Sequence, residues 1–148
     1  MHSGYLTEWM LGGKTPSNYF FYNIPSSEEG NPIIHYLHSI QSIEGYGVVF
    51  CFLNRKLYSG KKIKLSGLIM TKSIRKSADL WIRGKSSNDL WEIKSLDCNP
   101  VNEIECWKEY AIILDIPNDI KNLSVGLTLK GEGYIWFHSM KVEIVMEK

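Results

Sequence analysis

Tyr58-Ser-Gly-Lys-Lys-Ile-Lys-Leu-Ser-Gly-Leu-Ile-Met-Thr71, followed after a polar stretch by Ala78-Asp-Leu-Trp-Ile-Arg83, decides the fold. In the first segment Ile63, Leu65, Gly67 and Ile69 share one parity while Lys62, Lys64 and Ser66 take the other, the alternation of a strand with one buried face. In the second, Leu80 and Ile82 point one way and Asp79, Trp81 and Arg83 the other. The two read as strands joined by a polar loop over 72–77.

Working outward, the same period recurs. Residues 5–11 read as a first strand ended by Gly12 and Gly13, and 18–24 as an aromatic second strand. Further strands are expected over 33–39, 48–53 and 90–94. Between Trp107 and Pro117, Tyr110, Ile112, Leu114 and Ile116 lie on one face. Leu123, Val125, Leu127 and Leu129 then alternate with Ser124, Gly126, Thr128 and Lys130, and 118–121 leaves room for only one helical turn. Gly131-Glu-Gly133 is a turn signal that predicts 134–146 as the antiparallel hairpin partner of the preceding strand. Within 134–146, Ile135 and Phe137 differ in parity from Met140, Val142 and Ile144, which calls for a bulge or a strand switch near His138 and Ser139. About nine or ten strands with no amphipathic helix specify an all-β sandwich or barrel. No repeat or internal boundary divides the 148 residues, so one domain is expected.

Composition narrows the function. A hydrophobic fraction of 44% with 22% charged residues is ordinary globular usage and disfavours disordered or coiled-coil classes. No run approaches a membrane span and the first residues do not read as an export signal, so the expected location is cytoplasmic, with no membrane partner. Cys51, Cys98 and Cys106 are an odd number without CxxC spacing, which argues against a disulfide framework and a four-cysteine zinc site. The net charge of +1 argues against direct nucleic-acid binding. It conceals a basic segment, Arg55, Lys56, Lys61, Lys62, Lys64, Lys72, Arg75 and Lys76, that holds no acid. Alternation with Ile63 and Leu65 makes part of this segment the wet face of a strand; the other reading is a patch for an anionic partner.

Several segments together resemble a known bacterial pattern. Residues 58–67 are similar to its "yrGkrvrlsg" strand and Leu80-Trp-Ile-Arg83 to its "lWlRv". Residues 107–117 resemble "W..y.vvldvP" and 125–136 resemble "fGl.l.G.G.vW", with Trp9, Gly12 and Tyr22-Asn23 fitting the opening. The pattern is that of the galactose-binding-like jelly roll attached to AraC-type transcription regulators and to some bacterial peptidases. The resemblance implies a jelly-roll β-sandwich of mostly antiparallel strands and a ligand-binding or regulatory role. The family's "DNM" segment stands here as Asp97-Cys-Asn99, and no helical pattern is long enough for a helix-turn-helix.

The candidate ligand-binding residues are Trp81, Arg83, Asp79, Trp136, His138 and Tyr22. In such a jelly roll, residues pointing away from the core of one sheet line a groove, and Ser124, Gly126 and Thr128 leave room above their strand. An aromatic ring beside Arg and Asp suits a sugar or other polar cyclic ligand, the ring packing on C–H groups while charged groups bond hydroxyls. The competing reading has Trp81 and Trp136 filling the core, because alternation does not say which face is inside when both carry apolar groups.

Other constellations are weaker. His35 and His38 fall on opposite faces of an extended segment and make a poor metal pair. Asp97, Asn99 and Asn102 share a loop but not EF-hand spacing, so neither metal nor cofactor is expected. GxSxG, Walker and HExxH motifs are absent, and Asp115 and Asp119 flank Pro117 as turn residues. The sequence reading is therefore a non-enzymatic module that senses a small polar ligand, plausibly carbohydrate. A protein-interaction or homodimerisation module is the alternative, and a glycan-active enzyme a more distant one.

Overall fold

The computed structural model describes residues 5–25, 33–40, 44–87, 91–98 and 106–146. Ten strands form in chain order: β1 Met10–Gly12, β2 Tyr19–Ile24, β3 Ile34–Ser39, β4 Tyr46–Phe52, β5 Lys62–Lys72, β6 Ser77–Lys85, β7 Trp91–Asp97, β8 Lys108–Asp115, β9 Asn122–Lys130 and β10 Tyr134–Ile144. A 3₁₀ turn at Pro16–Asn18 and one helical turn, α1 at Arg55–Tyr58, complete the described elements. Asn54 caps α1, its Oδ1 accepting the Lys56 N–H at 3.0 Å.

The strands make two antiparallel sheets, ordered β1-β4-β9-β6-β7 and β2-β3-β10-β5-β8. This is the jelly-roll β-sandwich expected from the sequence. Ile63, Leu65 and Ile69 of β5 and Val125, Leu127 and Leu129 of β9 lie inward as alternation selected, and the faces that alternation left open resolve with Leu80, Ile82, Ile135 and Phe137 inside; all ten are almost wholly buried. Two facing apolar surfaces close over one another because neither sheet could keep its inner face in water. Tyr110 and Leu114 pack half-buried at the margin of this core.

The 131–133 turn does not make a hairpin: β9 bonds to β4 and β6, whereas β10 bonds to β3 and β5. Gly131 adopts φ +69° where the chain passes from one sheet to the other, so that Leu129 and Ile135 enter the core from opposite sheets instead of side by side in one. The same crossing separates β5 from β6, the two strands of the opening motif. The predicted first strand over 5–11 shrinks to Met10–Gly12, because the Leu6 N–H donates to Met140 O at 2.8 Å and Trp9 packs edge-on against Phe137. That stretch seals the side of the sandwich.

The bulge in β10 is present. Its register against β5 shifts between His138 and Lys141, with Ser139 at φ +57°. One extra residue turns Met140 and Val142 inward after Ile135 and Phe137, as the parity change required. Cys51 and Cys98 are buried and Cys106 is exposed, all three free. Burial pushes both buried thiols up to about 12, which leaves them inert small hydrophobes.

Candidate functional site

Outward-facing side chains of β4, β9 and β6 enclose a cleft of about 610 Å³, within the range of small-ligand sites. Its shape follows from residue size along three adjacent strands. The central strand β9 contributes Ser124, Gly126 and Thr128, which keep the floor low. On one side β4 raises Tyr46, Val48, Phe50 and Phe52; on the other β6 raises Asp79, Trp81 and Arg83. The result is a trough along β9 with one apolar wall and one mixed wall. Phe50 and Phe52 meet edge to face at 5.5 Å, and Phe52 stands 69% exposed.

Trp81 is the centre of this trough. In register it lies opposite Gly126, and its indole leans across that glycine so closely that a Cβ there would sit 2.4 Å from Cζ2. Its Nε1–H donates to Thr128 Oγ1 at 2.9 Å, fixing the ring plane, and only 9% of the residue is exposed. The Arg83 guanidinium carbon lies 5.1 Å from the ring centroid, a cation–π contact on the same wall. The sequence left open whether Trp81 lines a groove or fills the core; it is a buried side chain that faces outward and forms the floor of the cleft.

Asp79 completes the row. It stands directly opposite Asp97 on β7 and Thr128 on β9. Burial first, and then the Asp97 charge, raise the Asp79 pKa above its ordinary value, while Lys130 and a hydrogen bond from Ser77 pull it back. A raised carboxylate means that the folded chain holds this proton more tightly than the unfolded one. Stability therefore falls as pH rises from 3.8 through the folded pKa, and the deficit stands in full above it. Asp79→Asn is expected to raise the melting temperature at pH 7 and to give no gain below pH 3.8, read from melts across pH. A destabilising carboxylate in a cleft is what a binding site would retain.

The structure does not bring all six candidate residues together. Asp79, Trp81 and Arg83 line the cleft, whereas Tyr22, Trp136 and His138 lie on the outer face of the opposite sheet, on β2 and β10. There, Tyr22, Tyr36, Trp136 and Met70 form one row across four strands, and Phe20, His38, Tyr134 and Lys72 the next. Tyr36 stacks on Trp136 at 4.8 Å and 9°, and Trp107 meets His138 edge-on at 4.5 Å. Ring faces are thus engaged with one another. Burial, together with the neighbouring Tyr22 and Tyr134, pushes Tyr36 up to about 12, and burial lowers His138.

Tyr46, Phe50, Phe52 and Lys130 were missed as cleft residues. Parity along β9 pointed to its small residues, but only the β4–β9 register reveals whose side chains rise beside them. His35 and His38 do face opposite ways: His35 is buried, its Nδ1 2.6 Å from Asn23 Oδ1, and His38 stacks outside on Tyr36. Among the described residues no cluster of three or more His, Cys, Asp or Glu could hold a metal ion. The Asp97–Asn102 loop falls largely outside the described residues. The basic segment is partly matched by acids, Lys62 standing opposite Asp115 and Lys64 opposite Glu143. No described helix is long and apolar enough to cross a membrane.

Ten antiparallel strands in two five-stranded sheets, with a trough across one outer face, make a jelly-roll β-sandwich, a fold shared with solved carbohydrate-binding modules. The C-terminal family 22 carbohydrate-binding module of Clostridium thermocellum Xyn10B superposes with a TM-score of 0.64 at 11% identity, over 94% of this chain and 88% of that one. The CBM22-1 xylan-binding domain of Paenibacillus barcinonensis Xyn10C gives 0.64 at 10% identity, over 98% and 90%. TmCBM61, solved with β-1,4-galactotriose, gives 0.55 at 7% identity, over 96% and 92%. In sequence the chain is similar to the uncharacterized HTH-type transcriptional regulator YbfP of Bacillus subtilis (strain 168), 28% identical over 142 residues. That match covers 94% of this chain and 48% of YbfP, so the chain spans about half the length of the curated relative it matches. No protein-family model matches the sequence.

Proposed function

We propose that this chain is a non-enzymatic carbohydrate-binding module that serves as the ligand-sensing part of a cytoplasmic bacterial regulatory protein. The carrying observation is Trp81, laid across Gly126 in the cleft and flanked by Asp79 and Arg83. A saccharide ring in the trough packs its C–H groups against Trp81 and the Phe50–Phe52 wall. Its hydroxyls bond Asp79, Arg83, Ser124 and Thr128. The fold shared with carbohydrate-binding modules supports this reading, and the similarity to a regulator supports the sensing role. Nothing in this scheme requires proton transfer or a nucleophile.

The test is a thermal-shift screen of neutral and acidic mono- and oligosaccharides. A sugar at about 100 times its dissociation constant adds roughly 2.7 kcal/mol to stability, a rise of several degrees for a domain of this size. Arg83→Ala separates binding from folding. Arg83 is exposed on the wall of the cleft, so Arg83→Ala should keep a cooperative melt, checked in the same thermal scans. Affinity for the saccharide hit should fall about tenfold by calorimetry. Unchanged affinity in this variant would remove Arg83 from the site, and product release from any glycan in the panel would overturn the non-enzymatic reading.

A further inference from the structure

We propose that two copies of this chain pair through β2, joining their β2-β3-β10-β5-β8 sheets edge to edge. Among the described residues the edge strands of the two sheets are β1, β7, β2 and β8. Exposed edges invite another strand unless they are short or charged. β1 has three residues, β7 carries Lys94 and Asp97, and β8 carries Lys108, Glu109 and Asp115. By contrast β2 is Tyr-Phe-Phe-Tyr-Asn-Ile, six residues without charge or proline. Its outward side chains are exposed apolar groups: Phe20 at 53%, Tyr22 at 45% and Ile24 at 40%.

The backbone of β2 dictates a register for a second copy. The Ile40 N–H donates to Asn18 O at 3.0 Å, so the Asn18 carbonyl faces β3. Two-residue alternation then directs the backbone groups of Phe20, Tyr22 and Ile24 toward β3 and those of Phe21 and Asn23 away from it. A two-fold axis at Tyr22 sets Phe21 against the partner's Asn23 and Asn23 against the partner's Phe21, each pair exchanging both of its bonds. One step further, Tyr19 meets the partner's Pro25. Proline has no N–H to give, and the Tyr19 N–H is already bonded to Pro16 O, so the pairing ends there.

At the axis the two Tyr22 side chains form a non-hydrogen-bonded pair, in which side chains approach most closely. The Met70, Trp136, Tyr36 and Tyr22 row would continue into the second copy as one aromatic band. The partner is the same uncharged strand, so no charge is desolvated on either side. Pairing leaves the cleft open, since the cleft lies on the other sheet.

Sedimentation equilibrium of the full chain over about a hundredfold range of concentration tests this. Wild type should approach twice the 17.0 kDa chain mass. Tyr22→Lys, which sets like charges against each other at the axis, should sediment as a monomer and keep a cooperative melt. Ile113→Lys, on the exposed face of β8, should dimerise like wild type. Amide exchange in wild type gives an independent reading: the Phe21 and Asn23 amides should slow as concentration rises, and those of Phe20 and Tyr22 should not. A monomer at every concentration, a Tyr22→Lys dimer as stable as wild type, or concentration-independent exchange at Phe21 and Asn23 would each overturn the proposal.

Discussion

Trp81→Ala is expected to lose saccharide binding by about 30-fold or more and to lower the melting temperature by about 10 °C. Two separate consequences follow from one side chain. Truncating a buried tryptophan costs about 3–5 kcal/mol, because the transfer free energy is lost and a void remains. At 9% exposure, over Gly126 and beside Arg83, the indole meets that condition although it points away from the core. The binding loss arises because the platform itself is gone. Trp81→Phe distinguishes the two effects: it retains an aromatic floor but loses the Nε1–H bond to Thr128. It should recover most of the stability and part of the affinity. Calorimetric binding by Trp81→Ala at wild-type strength would show that saccharide binds elsewhere.

Gly126→Ala is expected to be nearly as damaging, although it adds a single methyl. The new Cβ would lie 2.4 Å from Trp81 Cζ2 and 2.6 Å from the Val49 carbonyl oxygen. The indole can lift, but the carbonyl belongs to β4, which is bonded to β9 along its length. Overpacking of this kind costs about 1–3 kcal/mol, a fall of roughly 2–12 °C for a chain of this size. Lifting the indole also breaks its bond to Thr128 and raises the floor of the trough. Tryptophan fluorescence should therefore become more accessible to a soluble quencher, and saccharide affinity should fall with stability. A variant that melts and binds like wild type would mean that the indole does not rest on Gly126.

The sequence alone determined the inward faces of β5 and β9, because apolar groups fall on one parity and polar or small groups on the other. The parity change in β10 called for a bulge or a strand switch near His138 and Ser139, and the structure has the bulge. Asp79, Trp81 and Arg83 were legible as one group of common parity, but that this group faces outward was decided by the tertiary structure. What alternation does not carry is which strands are neighbours. Only the tertiary structure decided that β9 and β10 lie in opposite sheets, that Trp136 and His138 therefore leave the Trp81 cleft, and that Phe50 and Phe52 form its other wall. A glycine turn can close a hairpin or carry the chain across the sandwich with equal ease. The choice rests with long-range packing, here Leu129 and Ile135 buried together in the core between the two sheets, which no local pattern records.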